Sequence, residues 1–214
     1  MTLAALVAAI LMTGCSRQPS APPLTGADST RILAEIAAHR QDADAFFRSD
    51  PGSPFVADTS AHFDGIKWFP PDVAFVVQSK LHRYPNPATV SVFGTKGEER
   101  KQLRYGYFEF TLGGKDLRLN VYKFTAADPE RYERLKNYLS VWFTDLTTGK
   151  ETYEVGRYLD VGEEQTDPEA LYTLNFNHAY NPYCSYSALY SCAIPTKDDR
   201  LDVAITAGER KYHP

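Results

Sequence analysis

The chain has 214 residues and a formal net charge of −4, with 43% hydrophobic and 23% charged residues. A length and apolar content of this order suit one globular domain with a sizeable core. The mild acidity leaves no broad basic field of the kind nucleic-acid binding needs, so no nucleic-acid partner is expected.

Leu3 to Met12 is an apolar run of ten residues, the size of a signal-peptide core and too short to cross a bilayer as a helix. It leads into Met12-Thr13-Gly14-Cys15, which resembles the bacterial lipobox, where small residues precede a cysteine that is acylated after cleavage. The run would also suit an ordinary secretory signal, but the cysteine directly after small residues argues for the lipobox. Residues 1–15 therefore read as a lipoprotein signal peptide with Cys15 as the lipidation site. Acyl chains, at about 0.8 kcal/mol per buried CH₂, would hold the protein on a membrane without any spanning helix. Ser16 stands where an Asp would, by the same resemblance, favour inner-membrane retention. The expected location is thus the cell envelope, lipid-anchored on the periplasmic face of the outer membrane. Residues 16–27, rich in Pro, Ser and Ala, read as a flexible tether, which leaves 28–214 as a single β-rich domain with an N-terminal helix.

That helix is predicted over the stretch that begins at Asp28 or Ser29, either of which can cap it. Ile32, Leu33, Ile36, Ala37, Ala43, Phe46 and Phe47 recur near helical spacing, and Pro51-Gly52 ends the run. His39 lies among polar residues and reads as a solvated helix residue. From Gly65 onward the period changes to two. The runs VAFVVQSKL, TVSVFG, QLRYGYFEFTL, LRLNVYKF, YLSVWFTDL, TYEVGRYLDV, LYTLNF and LDVAITA are rich in β-branched and aromatic residues and bounded by turn formers. Gly113-Gly114 marks a tight hairpin turn, and Thr147-Thr148-Gly149-Lys150 is read as a second hairpin connection. Asp128-Pro129 opens a short helix over 128–136. The expectation is a mainly β fold, an antiparallel β-sandwich or open barrel of about eight strands with one N-terminal helix.

The candidate sites lie in two segments. In Gly149–Asp160, strict alternation would put Glu151, Tyr153, Val155, Arg157 and Leu159 on one strand face and Asp160 on the other. A carboxylate, a phenol and a guanidinium on one face can grip an anionic or hydroxylated ligand, or can brace the sheet as an internal ion pair. The second segment, residues 174–195, gathers two cysteines, four tyrosines, three asparagines and a histidine. With Cys15 assigned to lipid, Cys184 and Cys192 remain in a compartment where disulfides persist, and a bridge between them is the plain reading. Zinc held by both thiolates and His178 is an alternative, though the seven-residue gap between the cysteines is wider than the usual knuckle and a fourth ligand is not evident. A Cys–His nucleophile fits no known flank. In a third reading Tyr180, Tyr183, Tyr186 and Tyr190 wall a pocket or cover a sheet edge. His178, Asn181 and Tyr183 complete the candidate ligand set. No other cofactor is expected.

Several motifs taken in order resemble a widespread bacterial family of uncharacterised proteins, a domain of unknown function. They are Phe47-Arg48-Ser49-Asp50-Pro51, Phe69-Pro70-Pro71-Asp72, Gly149-Lys150-Glu151-Thr152-Tyr153 with Gly156-Arg157-Tyr158-Leu159-Asp160, Asn175-Phe176-Asn177 running into Ala179-Tyr180-Asn181-Pro182, and Ala207-Gly208-Glu209. The chain departs from the family after Cys192, where Ala193, Pro195-Thr196 and Asp198-Asp199 replace a Pro, a Pro-Pro pair and Glu-Asn. The resemblance implies no settled activity. The function expected from residues and location is an envelope lipoprotein that binds a small ligand or helps assemble the envelope, with an envelope protein or small ligand as partner and the membrane reached through Cys15. A hydrolase or transferase using a carboxylate/Arg/Tyr cleft, with Glu151 or Asp160 as acid or base near Arg157 and the Asn177 to Cys184 loop, is the alternative.

Overall fold

The computed structural model describes residues 26–213. The lipobox, Cys15 and most of the tether lie outside the described residues. Helix α1, Gly26–Ser49, turns Ile32, Ile36 and Phe47 inward, as the spacing predicts. A single helical turn, α2 (Pro54–Ala57), follows. Its cap Ser53 accepts from Phe55 N–H and donates to the Phe47 carbonyl at 2.7 Å, so the chain reverses onto the end of α1. Among the described residues no helix is long and apolar enough to cross a membrane.

The remainder is mainly β. Six strands, β1 (Val76–Phe93), β2 (Glu99–Leu112), β3 (Lys115–Phe124), β4 (Tyr138–Phe143), β5 (Arg157–Glu163) and β6 (Leu171–Asn175), form one antiparallel sheet in the order β5-β4-β3-β2-β1-β6. The sheet curls until β5 and β6 approach each other. The chain leaving β6 then pairs with β5 through a Tyr158–Tyr180 bridge, so the barrel is nearly closed. Helix α3, Pro129–Leu135, joins β3 to β4, and its cap Asp128 accepts from Arg131 N–H, as its sequence foretells.

The eight runs expected from sequence become six strands for two physical reasons. VAFVVQSKL and TVSVFG fuse into the single long β1, because Tyr84-Pro85-Asn86-Pro87 bulges outward between Arg83 and Ala88 without ending the ladder. Two prolines that cannot donate suit a bulge better than a sheet interior. The last run, LDVAITA, forms no ladder. It runs as irregular chain in which the Val203 carbonyl accepts from Leu146 N–H and the Ile205 and Ala207 carbonyls bond to a buried arginine described below. The β2–β3 turn is as predicted: Gly113 and Gly114 have φ of +60° and +74°, the left-handed pair that a two-residue hairpin requires. The β4–β5 connection is longer than the expected hairpin. Thr147 accepts on its carbonyl from the N–H groups of Lys150, Glu151 and Thr152, and β5 starts only at Arg157.

The barrel interior is filled by side chains. Phe108, Phe110, Leu119, Val121, Leu139, Phe143, Leu159, Leu174 and Phe176 are buried there, with Leu201, Ile205 and Ala207 from the C-terminal segment closing one side. Burial of this kind stabilises by about 1.5–3 kcal/mol per large side chain. On the outer face Tyr122 stacks on Trp142 with ring centroids 4.5 Å apart. Buried Asp199 covers that face, accepting from Tyr122 Oη at 2.7 Å and Asn120 Nδ2 at 3.0 Å.

Candidate functional site

The sequence-derived candidates separate into three places. The first is buried. Arg157, 1% exposed, opens β5 with its guanidinium inside the protein. Its Nη2 donates to Asp145 Oδ2 and to the Ile205 carbonyl, each at 2.8 Å, and its Nη1 to the Ala207 and Glu209 carbonyls. Residues 205, 207 and 209 thus present alternate carbonyls of the C-terminal segment to one guanidinium fork, a geometry for which arginine is suited and lysine is not.

Glu209, also buried, accepts on Oε2 from Asn181 N–H at 2.9 Å and from Tyr186 Oη. Burial pushes its carboxyl up to about 7, against the pull of those two bonds and of Arg157. The physical sense is plain: Arg157 and Asp145 already neutralise each other, so a second buried carboxylate is more stable protonated. Asn181 adds a bond from Nδ2 to the Arg210 carbonyl at 2.8 Å. Gly208, between the two anchored residues, has φ of +77°, and a Cβ there would lie 2.5 Å from the Ala179 carbonyl oxygen. The C-terminal segment therefore lies tightly on the turn after β6.

Glu151 is exposed and Tyr153 half-buried, both on the loop before β5. The alternation expected across 151–160 holds only from Arg157, because Tyr153–Gly156 is a turn. The carboxylate, phenol and guanidinium consequently do not converge on one cleft. Asp160 is exposed on β5 and accepts from Gly162 N–H at 2.8 Å.

The second place is the junction of α1 with the turn after β6. His178 stacks on His39 with ring centroids 4.0 Å apart and planes 20° apart. Asn175 Nδ2 lies 3.3 Å from His178 Nε2. Trp68 meets His39 edge-on, and the Arg40 guanidinium lies over Trp68 at 5.0 Å. Burial, then His39 and Arg40, lowers the His178 pKa to about 4, and burial lowers His39 as well. His39, which its polar neighbours in sequence mark as solvated, is instead a packing partner. Tyr183 lies edge-on to Phe47 of α1 and to Tyr190, and Tyr186 joins the Phe47–Phe55–Tyr212 cluster. These two tyrosines dock the helix on the loop, and Tyr186 also borders an open surface cleft with Asp58, Lys67, Ser187 and Tyr212.

The third place holds the cysteines. Cys184 and Cys192 are half-buried free thiols, and Cys184 N–H donates to Cys192 Sγ at 3.3 Å. Tyr153 Oη donates to Cys184 Sγ at 3.8 Å. Cys192 N–H donates to Thr95 Oγ1 at 3.2 Å, while Thr95 N–H donates to the Cys192 carbonyl at 3.0 Å. The bridge between Gly94 and Ala193 is antiparallel, so Phe93 faces Ile194 and Thr95 faces Cys192 on the same side of this short ribbon. Phe93 is 53% and Ile194 37% exposed, and nearby Leu189 is 61% exposed. A hydrogen bond from the Cys192 thiol is the largest influence on Cys184, whose pKa falls to about 6 with further help from Thr95 and Tyr153, while burial opposes the fall. Cys192, which gives that hydrogen bond and is itself buried, is pushed up. His178 belongs to the helix junction and not to this corner. Among the described residues no three His, Cys, Asp or Glu side chains gather to hold a metal.

The sequence therefore points to the right segments but not to the groupings. It misses Asp145, Glu209, His39, Phe93 and Thr95 as partners. Only Glu209 carried a signal, as the last residue of Ala207-Gly208-Glu209.

A family model described as "Protein of unknown function (DUF1684)" matches residues 61–210. Among solved structures, the chain is similar to the solution NMR structure of an uncharacterized protein from Haloarcula marismortui. The two are 29% identical with a TM-score of 0.62, over 87% of this chain and 97% of that one. No curated protein matches the chain.

Proposed function

The chain belongs to the DUF1684 family, whose function is unknown, and we propose that this member is a lipid-anchored envelope module that binds a protein partner on its outer surface. The lipobox at Met12–Cys15 supports the anchor, and Ser16 supports the periplasmic face of the outer membrane. The observation that carries surface binding is an apolar ledge, the exposure of Phe93 at the end of β1 and of Ile194 and Leu189 on the loop paired with it, whose flanking Tyr186, Ser187 and Ala193 are buried. Side chains of this size left in water beside a filled barrel favour an apolar partner surface. The filled interior gives a small ligand no chamber there, and Arg157, committed to four protein acceptors, gives a hydrolase or transferase cleft no guanidinium.

Two measurements test the reading. Intact-mass analysis of the mature N-terminal peptide should find an acylated Cys15, and Cys15→Ala should release the protein from membranes; an unmodified, soluble wild type would refute the anchor. A photo-crosslinker at Leu189 in cells should join one envelope protein, identified by its peptides, and Phe93→Ser should abolish the product. Crosslinks to lipid alone, or none, would refute the protein partner.

A further inference from the structure

We propose that Cys184 and Cys192 form a thiol–disulfide exchange pair acting on disulfides of polypeptides docked against the Phe93–Ile194 ledge. The inference deepens the surface-binding reading by naming the partner's chemistry.

The geometry carries it. A bond serving only to staple a loop needs no donors aimed at its sulfurs, yet this corner supplies several. Tyr153 Oη reaches Cys184 Sγ, Thr95 contributes its hydroxyl, and the Cys184 N–H reaches Cys192 Sγ. Burial keeps Tyr153 a phenol, so it remains a donor. Donors stabilise a thiolate, which is the attacking species in exchange. Both cysteines are half-buried residues at the surface corner, which leaves a partner disulfide a path to them. The ledge lies on the same side of the ribbon as Cys192 and Thr95, where a peptide chain bearing that disulfide would rest.

The steps balance. The Cys184 thiolate attacks one sulfur of the partner disulfide, forming a mixed disulfide and releasing the partner's other sulfur as thiolate. That sulfur takes the Cys192 proton. The Cys192 thiolate then attacks Cys184 Sγ, closing the Cys184–Cys192 bond and releasing the second partner sulfur, which is protonated from solvent by the proton Cys184 had lost. Two electrons pass from the protein dithiol to the partner disulfide, and the reverse sequence oxidises a partner dithiol.

The test uses the full chain in detergent, equilibrated in glutathione buffers from fully reduced to fully oxidised. Differential alkylation and peptide mass then read Cys184 and Cys192 individually, whatever Cys15 carries. The expected result is one reversible transition within the glutathione range. Cys192→Ser should accumulate glutathione on Cys184, and Cys184→Ser should accumulate less on Cys192. A bridge that survives fully reduced glutathione would be a structural staple and would overturn the proposal, as would thiols that never bridge in oxidised glutathione. In a second arm, reaction with a model peptide disulfide should slow by about tenfold or more in Phe93→Ser/Ile194→Ser, with the glutathione equilibrium unchanged. Equal peptide rates would overturn the docking ledge alone, and so separate its failure from that of the cysteine chemistry.

Discussion

Replacing Arg157 by alanine distinguishes a ligand-gripping arginine from an internal clamp. The substitution removes a side chain that is 1% exposed and bonded to Asp145 and to three carbonyls of the C-terminal segment. It leaves Asp145 a buried carboxylate without its counter-charge, a loss of about 3–5 kcal/mol in comparable pairs. The stranded carbonyls add to that cost, unless the segment detaches and lets water reach them. With a urea slope of roughly 2–3 kcal/mol/M for a domain of this size, the unfolding midpoint should fall by about 1–2.5 M. Tryptophan fluorescence can follow it, since Trp142 is buried beside Tyr122. The double variant Asp145→Asn/Arg157→Met should be more stable than the sum of its single variants by about 1–3 kcal/mol, because the uncompensated charge is gone. A midpoint for Arg157→Ala within about 0.3 M of wild type, worth under roughly 1 kcal/mol, would refute the clamp.

Three further outcomes follow from the same contacts. Glu209 has a folded pKa near 7 against an unfolded value of about 4.3, so its contribution is fully present below the unfolded value and is lost as pH rises toward 7. Glu209→Gln should therefore gain on wild type by up to about 3 kcal/mol at pH 8 and little at pH 4, read from urea midpoints across pH. His178, lowered to about 4, has the opposite sign: folded and unfolded chains differ in protonation between that value and about 6.5, so stability is lost as pH falls through this window. His178→Asn should flatten that acid limb of the pH–stability curve. Gly208→Ala, which would press a Cβ to 2.5 Å from a backbone oxygen at positive φ, should lower the thermal midpoint and expose the C-terminal segment to protease. An unchanged midpoint with unchanged protease resistance would contradict the close packing against Ala179.

Much of the architecture was legible because it is local. Helical spacing of Ile32, Ile36 and Phe47 places α1, Gly113-Gly114 fixes the β2–β3 turn, and Asp128-Pro129 starts α3. The strand count was less legible. Alternation marks a stretch able to form a half-buried strand, and residues 201–207 satisfy it, yet the Ile205 and Ala207 carbonyls bond to the guanidinium of β5 and the Val203 carbonyl to Leu146 beyond the end of β4, so no ladder forms. The candidate site divides in the same way. Composition singled out Cys184, Cys192 and Asn181, since clustering of cysteine, tyrosine and asparagine is itself unusual, and the alternation expected in 151–160 singled out Tyr153.

The sequence alone determined the change from helical to two-residue period and the segments where polar chemistry concentrates, and it carries the lipobox-like run at Met12–Cys15 on which the proposed anchor rests. Which groups meet was decided only in three dimensions. Arg157 faces Asp145 twelve residues away and carbonyls about fifty residues away. Cys184 meets Tyr153 and Thr95, and His39 meets His178, across still other separations. Barrel curvature and the C-terminal wrap create these encounters. A charge's role depends on whether it ends in water or is sealed among partners, and that follows from closure of the whole fold.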